Sequence, residues 1–498
     1  MGGAAIRLWP ALAGPVVRPG IYGHFAEHLG RCVHGGIWVG ERSRVPNESG
    51  VRLDVLAALK HLRAPVVRWP GGCFADDYHW RDGVGPRAER PATVNAWWRQ
   101  GESNEFGTDE FARFCAAAGA DAYFCANVGS GSPREARDWV EYCNFGGDSA
   151  LTRLRAANGS AAPHGVRWWG VGNENWGCGG RFDGAGYAGE YRRFANYMRQ
   201  IDPSIQLVAC GASFGDRKNP VLNEWNHDFC AALKHPDLLD HLSLHRYFSR
   251  GAGADFSDGE FRALFADVHA MERDLELTGA VLRYYFPDRF VGIVVDEWGV
   301  WHPSATVENG LEQENTLRDA LLAGSVLNLF NRWARRVTMA NIAQTVNVLQ
   351  CMAVTRGNAM FLTPTYYVFE LMRPHMNGRL VTQEVEGPSY EAHGTGFTAL
   401  RTVDCLDASA SLSGRKLHLT VVNRSLGEDL ETAITLNGAK AASVSAKILS
   451  APVPNAMNSF ETPSAVTAKR TKSELREDGS LVHVFPRHSM TALTITLQ

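Results

Sequence analysis

Between residues 19 and 345 eight short apolar runs recur, each followed by a polar or glycine-containing segment: "GIYGHF", "APVVRWPGG", "DAYFCANVGSG", "GVRWWGVGNEN", "IQLVACGAS", "LDHLSLHRY", "FVGIVVDEWGV" and "VTMANIAQT". Between most of them lie stretches such as "VRLDVLAALKHLRA", "GTDEFARFCAAAGA", "PREARDWVEYCN", "YAGEYRRFANYMRQID" and "EQENTLRDALLAGSVLNLFNRWARR", whose apolar residues return every three or four positions. That spacing predicts helices. Continuous apolar strands alternating with helices imply a parallel sheet buried on both faces. Eight such units in about 355 residues predict an α/β chain with a (β/α)8 TIM barrel over 19–376. An open doubly wound sheet would require a phosphate-type glycine motif after its first strand, and none is present.

Beyond residue 376 the texture changes to short alternating runs, among them "KLHLTVVNRS", "LETAITLNG", "SLVHVFP" and "ALTITLQ", separated by turn residues. These predict a C-terminal antiparallel β-sandwich domain, jelly-roll-like, over 377–498. The N-terminal 1–18, with "AAIRLWP", is expected to lend it a strand. All fourteen Trp precede residue 334, so chemistry that uses flat aromatic surfaces belongs to the barrel. A net charge of -3 without basic runs argues against nucleic acid or an anionic membrane as a partner. No run of roughly 18 apolar residues suggests a membrane span. The first residues lack a basic head and an uninterrupted apolar core, so no signal peptide is expected and the location is read as cytoplasmic. Ten Cys are scattered without a CxxC pair, which predicts reduced, mostly buried thiols.

In such a barrel the chemistry sits where strands end at their C-terminal face. Read there, the runs offer Glu27 and His28, Arg68 and Cys73, Asn127, Asn173 and Glu174, His245 and Tyr247, Asp296, Glu297 and Trp301, and Asn341 and Gln344. Glu174 in "VGNEN" and Glu297 in "VVDEWG" each follow an apolar strand directly and come from opposite sides of the mouth. One carboxyl that holds a proton and one that is ionised can divide the work of glycoside hydrolysis, and a separation of about 5 Å selects the retaining route. A competing signal is "HFAEH" at 24–28, the H-x-x-E-H order of some zinc peptidases. A zinc helix needs His24 and His28 on one face. Gly20 and Gly23 before the string, and Gly30, Gly35 and Gly36 after it, suggest strand and loop instead. Glu27 then reads as a ligand for substrate hydroxyls, and no metal or other cofactor is expected.

Nine strings in order, including "IYGHFAEHLGRCVHGGIWVG", "VVRWPGGCFADDYHWRDGVGPR", "WWGVGNENWGCGG", "LSLHRYF", "VVDEWGVWH" and "LTPTYYVFELM", make residues 20–376 resemble glycoside hydrolase family 51. The resemblance implies a metal-free, retaining, exo-acting α-L-arabinofuranosidase. It makes Glu174 the acid/base and Glu297 the nucleophile. It gives Glu27 and Asn173 hydrogen bonds to the sugar, and Arg68, Tyr247 and His245 places around the nucleophile. Trp301 and Gln344 would complete the pocket, with Trp97 and Trp176 stacking on the aglycone side. It also implies a homo-oligomer, a hexamer in many members, with an oligosaccharide as the substrate. Cys73 departs from members with Asn after "PGG": a thiol donates weakly, and Cys178 in "GCGG" is placed near enough for contact or a disulfide. A retaining endo-β-1,4-glucanase or β-xylosidase on the same machinery, a metallopeptidase and a non-catalytic carbohydrate-binding protein stay open as alternatives.

Overall fold

The computed structural model describes residues 4–213, 221–395, 399–476 and 480–498. Eight strands, Gly23–Phe25, Val66–Trp69, Asp121–Ala126, Trp168–Val171, Gln206–Ala209, His241–Phe248, Gly292–Val300 and Val337–Ala343, pair in parallel and in chain order. The eighth closes on the first, with Asn341 opposite Gly23. Each predicted apolar run contains one barrel strand. Val66, Tyr123, Val208, Val294 and Met339 pack into a buried cluster of their own. The opposite, C-terminal ends of the strands carry the polar residues.

The helices follow the local sequence. Ser132 caps Pro133–Asn144 by accepting from the Glu135 amide, and Pro133 takes the first position, where a missing N–H costs nothing. Helix Thr108–Ala118 stops at Gly119, whose φ of 74° is the left-handed conformation that suits glycine. Helix Leu317–Arg332 is buried from Leu317 through Asn331 because it lies between the barrel and the second domain.

That second domain is one ladder of ten strands. It curls until both ends share a core that includes Ile6, Leu419, Ala446, Leu481 and Leu493. Strand Ala4–Val16 joins it in the middle, antiparallel to Arg379–Glu386 and parallel to Leu430–Leu436. The expected all-antiparallel pattern therefore has one parallel pair. Hairpins make only antiparallel neighbours, whereas a strand arriving from the far end of the chain is free of that constraint. Among the described residues no helix is long and apolar enough to cross a membrane.

Candidate active site

The seventh strand brings two consecutive acids to one place. Its register slips against strand eight between Val295 and Trp298, and strand six slips against it between Ser243 and His245. Such irregularities re-aim side chains at barrel rims. Arg68, from the end of strand two, meets both acids: Nη1 donates to Glu297 Oε1 at 2.8 Å, and Nε lies 3.5 Å from Asp296 Oδ2. Its Nη2 donates to Asn173 Oδ1 at 2.6 Å. Tyr247 Oη donates to the other Glu297 oxygen at 2.9 Å. Both oxygens of Glu297 are thus held, and the side chain is only 7% exposed.

Glu174 stands in the turn after strand four in a left-handed conformation, φ 42°. One oxygen, Oε1, is 2.8 Å from His245 Nδ1, which is also 3.5 Å from Glu297 Oε2. An oxygen of Glu174, a ring nitrogen of His245 and an oxygen of Glu297 all lie within 4.8 Å of one another. The second His245 nitrogen is 3.1 Å from Asp296 Oδ1. With a carboxylate at each nitrogen, both carry protons. Burial opposes that charge, but Glu297, Asp296 and Glu174 outweigh it and push His245 up to about 10. Burial likewise opposes the Asp296 charge, and Arg68 and His245 hold its carboxyl below the usual range nonetheless.

The opposite wall is built on Glu27. Its Oε1 accepts from Trp98 Nε1 at 2.9 Å and the Phe74 amide at 3.3 Å, and its Oε2 from Gln344 Nε2 at 3.1 Å. Burial, followed by the charge of Glu297, raises Glu27 to about 7. The H-x-x-E-H string sends its members to separate places. His24 is sealed against Phe369, and burial lowers it to about 3. His28 accepts from Trp69 Nε1 at 3.0 Å, which makes Nδ1 the protonated nitrogen that donates to Glu102 Oε2 at 2.7 Å.

One expectation changes. Cys73 and Cys178 are joined by a disulfide, so Cys73 has no S–H to offer a sugar and not all ten cysteines are thiols. The other eight are free and buried. Trp97 is 42% exposed, and its neighbour Trp98 is the one that reaches Glu27. The hairpin of Thr93–Asn95 and Gln100–Glu102 decides this, because Asn95 Oδ1 accepts the Trp98 amide. Trp176 is half-buried, with Nε1 donating to the Gly211 carbonyl, and Trp301 meets Tyr247 edge to face at 5.2 Å. Asp76 went unnoticed in the sequence. It accepts from the amides of Val128, Gly129 and Asn173 and from Asn175 Nδ2, and so ties the turns after strands two, three and four together. Nothing in "FADDYHW" marks it.

Two carboxyls this close at the mouth of a parallel barrel, one gripped by an arginine and a tyrosine, define a glycoside hydrolase. The sequence profile described as Alpha-L-arabinofuranosidase 1 domain matches residues 58–250, and that of the Alpha-L-arabinofuranosidase C-terminal domain matches 296–489. The chain is 38% identical to the intracellular exo-alpha-L-arabinofuranosidase of Bacteroides ovatus, over 95% of its own length and 92% of the relative's. The crystal structure of a GH51 arabinofuranosidase from Xanthomonas axonopodis pv. citri superposes with a TM-score of 0.92 at 35% identity, covering 99% of this chain and 100% of that one. The arabinose complex of the Thermotoga maritima alpha-L-arabinofuranosidase gives 0.88 at 32%, with the same coverage. The chain belongs to the α-L-arabinofuranosidases of glycoside hydrolase family 51.

Proposed function

We propose that the enzyme releases terminal arabinofuranose from arabinan- or arabinoxylan-derived oligosaccharides with retention of configuration. The observation that carries this reading is the asymmetry between two carboxyls whose oxygens approach within 4.8 Å, the spacing of double displacement. Glu297 has both oxygens held by donors, which aims it at the anomeric carbon. It is the nucleophile. Glu174 has one oxygen against His245, while Oε2 has no N–H or O–H donor among the described residues. That oxygen carries the proton to the leaving group and afterwards takes one from water. Glu27, Asn173 and Gln344 bind sugar hydroxyls, Arg68, Tyr247 and His245 support the carboxyls, and Trp301 bounds the furanose. Trp98 joins them through Glu27. Cys73 contributes a sulfur surface through its disulfide, and Trp97 and Trp176 lie toward the aglycone. The intracellular relative supports exo action on imported oligosaccharides in the cytoplasm, and the family supports a homo-oligomer, hexameric in many members.

Glu297→Ala abolishes turnover of aryl α-L-arabinofuranosides, and azide partly restores Glu174→Ala on substrates with activated leaving groups. Near-wild-type activity in Glu297→Ala would refute the assignment. A panel of aryl glycosides decides the sugar: cleavage of xylosides or cellobiosides in preference to arabinofuranosides would move the reading to the β-xylosidase or endo-glucanase alternative.

A further inference from the structure

Away from the two carboxyls, a cleft of about 610 Å³ opens where the barrel meets the ten-stranded sheet. Its wall comes from the loop after barrel strand seven, through Ser304 and Glu312–Asn315, from the hairpin Ala353–Leu362, and from residues 457–461. It shares no residue with the catalytic cluster, yet the loop that forms it begins at Trp301, which packs on Tyr247. Phe361 and Phe460, both half-buried, meet edge to face at 4.9 Å and give the cleft an aromatic lining. Glu314 is exposed at the same cleft without an ion pair among the described residues. Glu312 and Glu461 are already matched by Arg31 and Arg356.

We propose that this cleft is a second carbohydrate-binding site, holding one or two sugar units of an oligosaccharide outside the catalytic mouth. Sugars combine the two properties the cleft asks for: hydroxyl groups that can donate to the unpaired Glu314 carboxylate, and a C–H face that packs on aromatic rings. Anions are disfavoured by Glu314. A metal ion is disfavoured because two of the three carboxylates are neutralised by arginine. The site goes beyond the catalytic reading and uses neither Glu174 nor Glu297.

Titration calorimetry of the full chain carrying Glu297→Gln, with a linear arabino-oligosaccharide, is expected to show two sites per chain. Adding Phe460→Ala weakens one of them about tenfold and leaves the other intact. Glu314→Gln, at an exposed position, weakens the same site about threefold and covers the case in which Phe460→Ala fails to fold. In the otherwise wild-type enzyme, Phe460→Ala leaves hydrolysis of a small aryl arabinofuranoside unchanged. A single site per chain, two sites indifferent to both substitutions, or a change of sedimentation coefficient in Phe460→Ala that marks the cleft as an interface between copies would each overturn the proposal. Failure of the catalytic reading shows separately, as an absence of arabinofuranoside cleavage by the wild type, while the binding stoichiometry still decides the cleft.

Discussion

His245 is the side chain on which the charge balance of the mouth turns. Four carboxyls, Glu27, Glu174, Asp296 and Glu297, share two cations, Arg68 and His245. The guanidinium is permanently charged, whereas the imidazole holds its proton only while carboxylates surround it. Its folded pKa of about 10 lies above the ordinary 6.5. The stability this gives is fully present below about pH 6.5 and is lost as pH rises through about 10. Melting temperature in the wild type is therefore expected to fall between pH 7 and 10 more steeply than in His245→Asn, and parallel curves would show that His245 is neutral in the folded enzyme. At this scale the sequence exposed types better than aims. Glu174 and Glu297 were legible because each comes at the end of an apolar run. Trp97 and Trp98 are adjacent and chemically equal, and only the hairpin around them turns the second one inward. Asp76 sits on a 3-10 turn and makes its bonds to two other segments, which no local pattern records.

At the scale of elements, the barrel strands were legible because a strand buried on both faces must be apolar throughout, and the helices because each shows one apolar stripe. The turns were not, since their conformation is set by what they approach. The turn after strand two, Pro70-Gly71-Gly72-Cys73, is such a case. A Cβ on Gly71 would lie 2.7 Å from Glu27 Cγ, and one on Gly72 would lie 2.8 Å from Glu297 Oε1. The glycines are there so that backbone passes directly beneath the two acids, while the disulfide fastens the same turn to the one carrying Glu174. Gly72→Ala must push Glu297 off its bonds with Arg68 and Tyr247. The expected result is a kcat lowered on the order of 10²-fold, from misplacement of a reacting group by a fraction of an ångström. Far-UV circular dichroism should stay unchanged. Unaltered kcat would show that the turn can yield and that Glu297 is not confined from this side.

The whole molecule is held at a polar joint that the sequence did not announce. The alternating strands after residue 376 disclosed a sheet, and "AAIRLWP" disclosed a strand for it, but much of the contact between sheet and barrel lies on helix Leu317–Arg332. There the apolar stripe is interrupted by Asn328 and Asn331, which by composition alone belong at a surface. Both are fully buried. Asn328 Nδ2 donates to the carbonyl and carboxylate of Asp407, and Asn328 Oδ1 accepts from Ser409 Oγ and Thr420 Oγ1. Asn331 Nδ2 donates to Ser409 Oγ, and its Oδ1 accepts from Tyr22 Oη, which stands beside the first barrel strand. A continuous hydrogen-bonded path thus runs from the barrel through one helix into the sheet. Such a network is stabilising only while every member is satisfied. Asn328→Ala leaves one oxygen of the Asp407 carboxylate and two buried hydroxyls each short of a partner. Chemical denaturation is expected to show a loss of about 2–4 kcal/mol, with barrel tryptophan fluorescence and far-UV signal from the sheet still changing together. A loss below about 1 kcal/mol, or a sheet that unfolds ahead of the barrel in the wild type, would mean that apolar packing along the rest of the helix joins the two domains and that the asparagines only tolerate their burial.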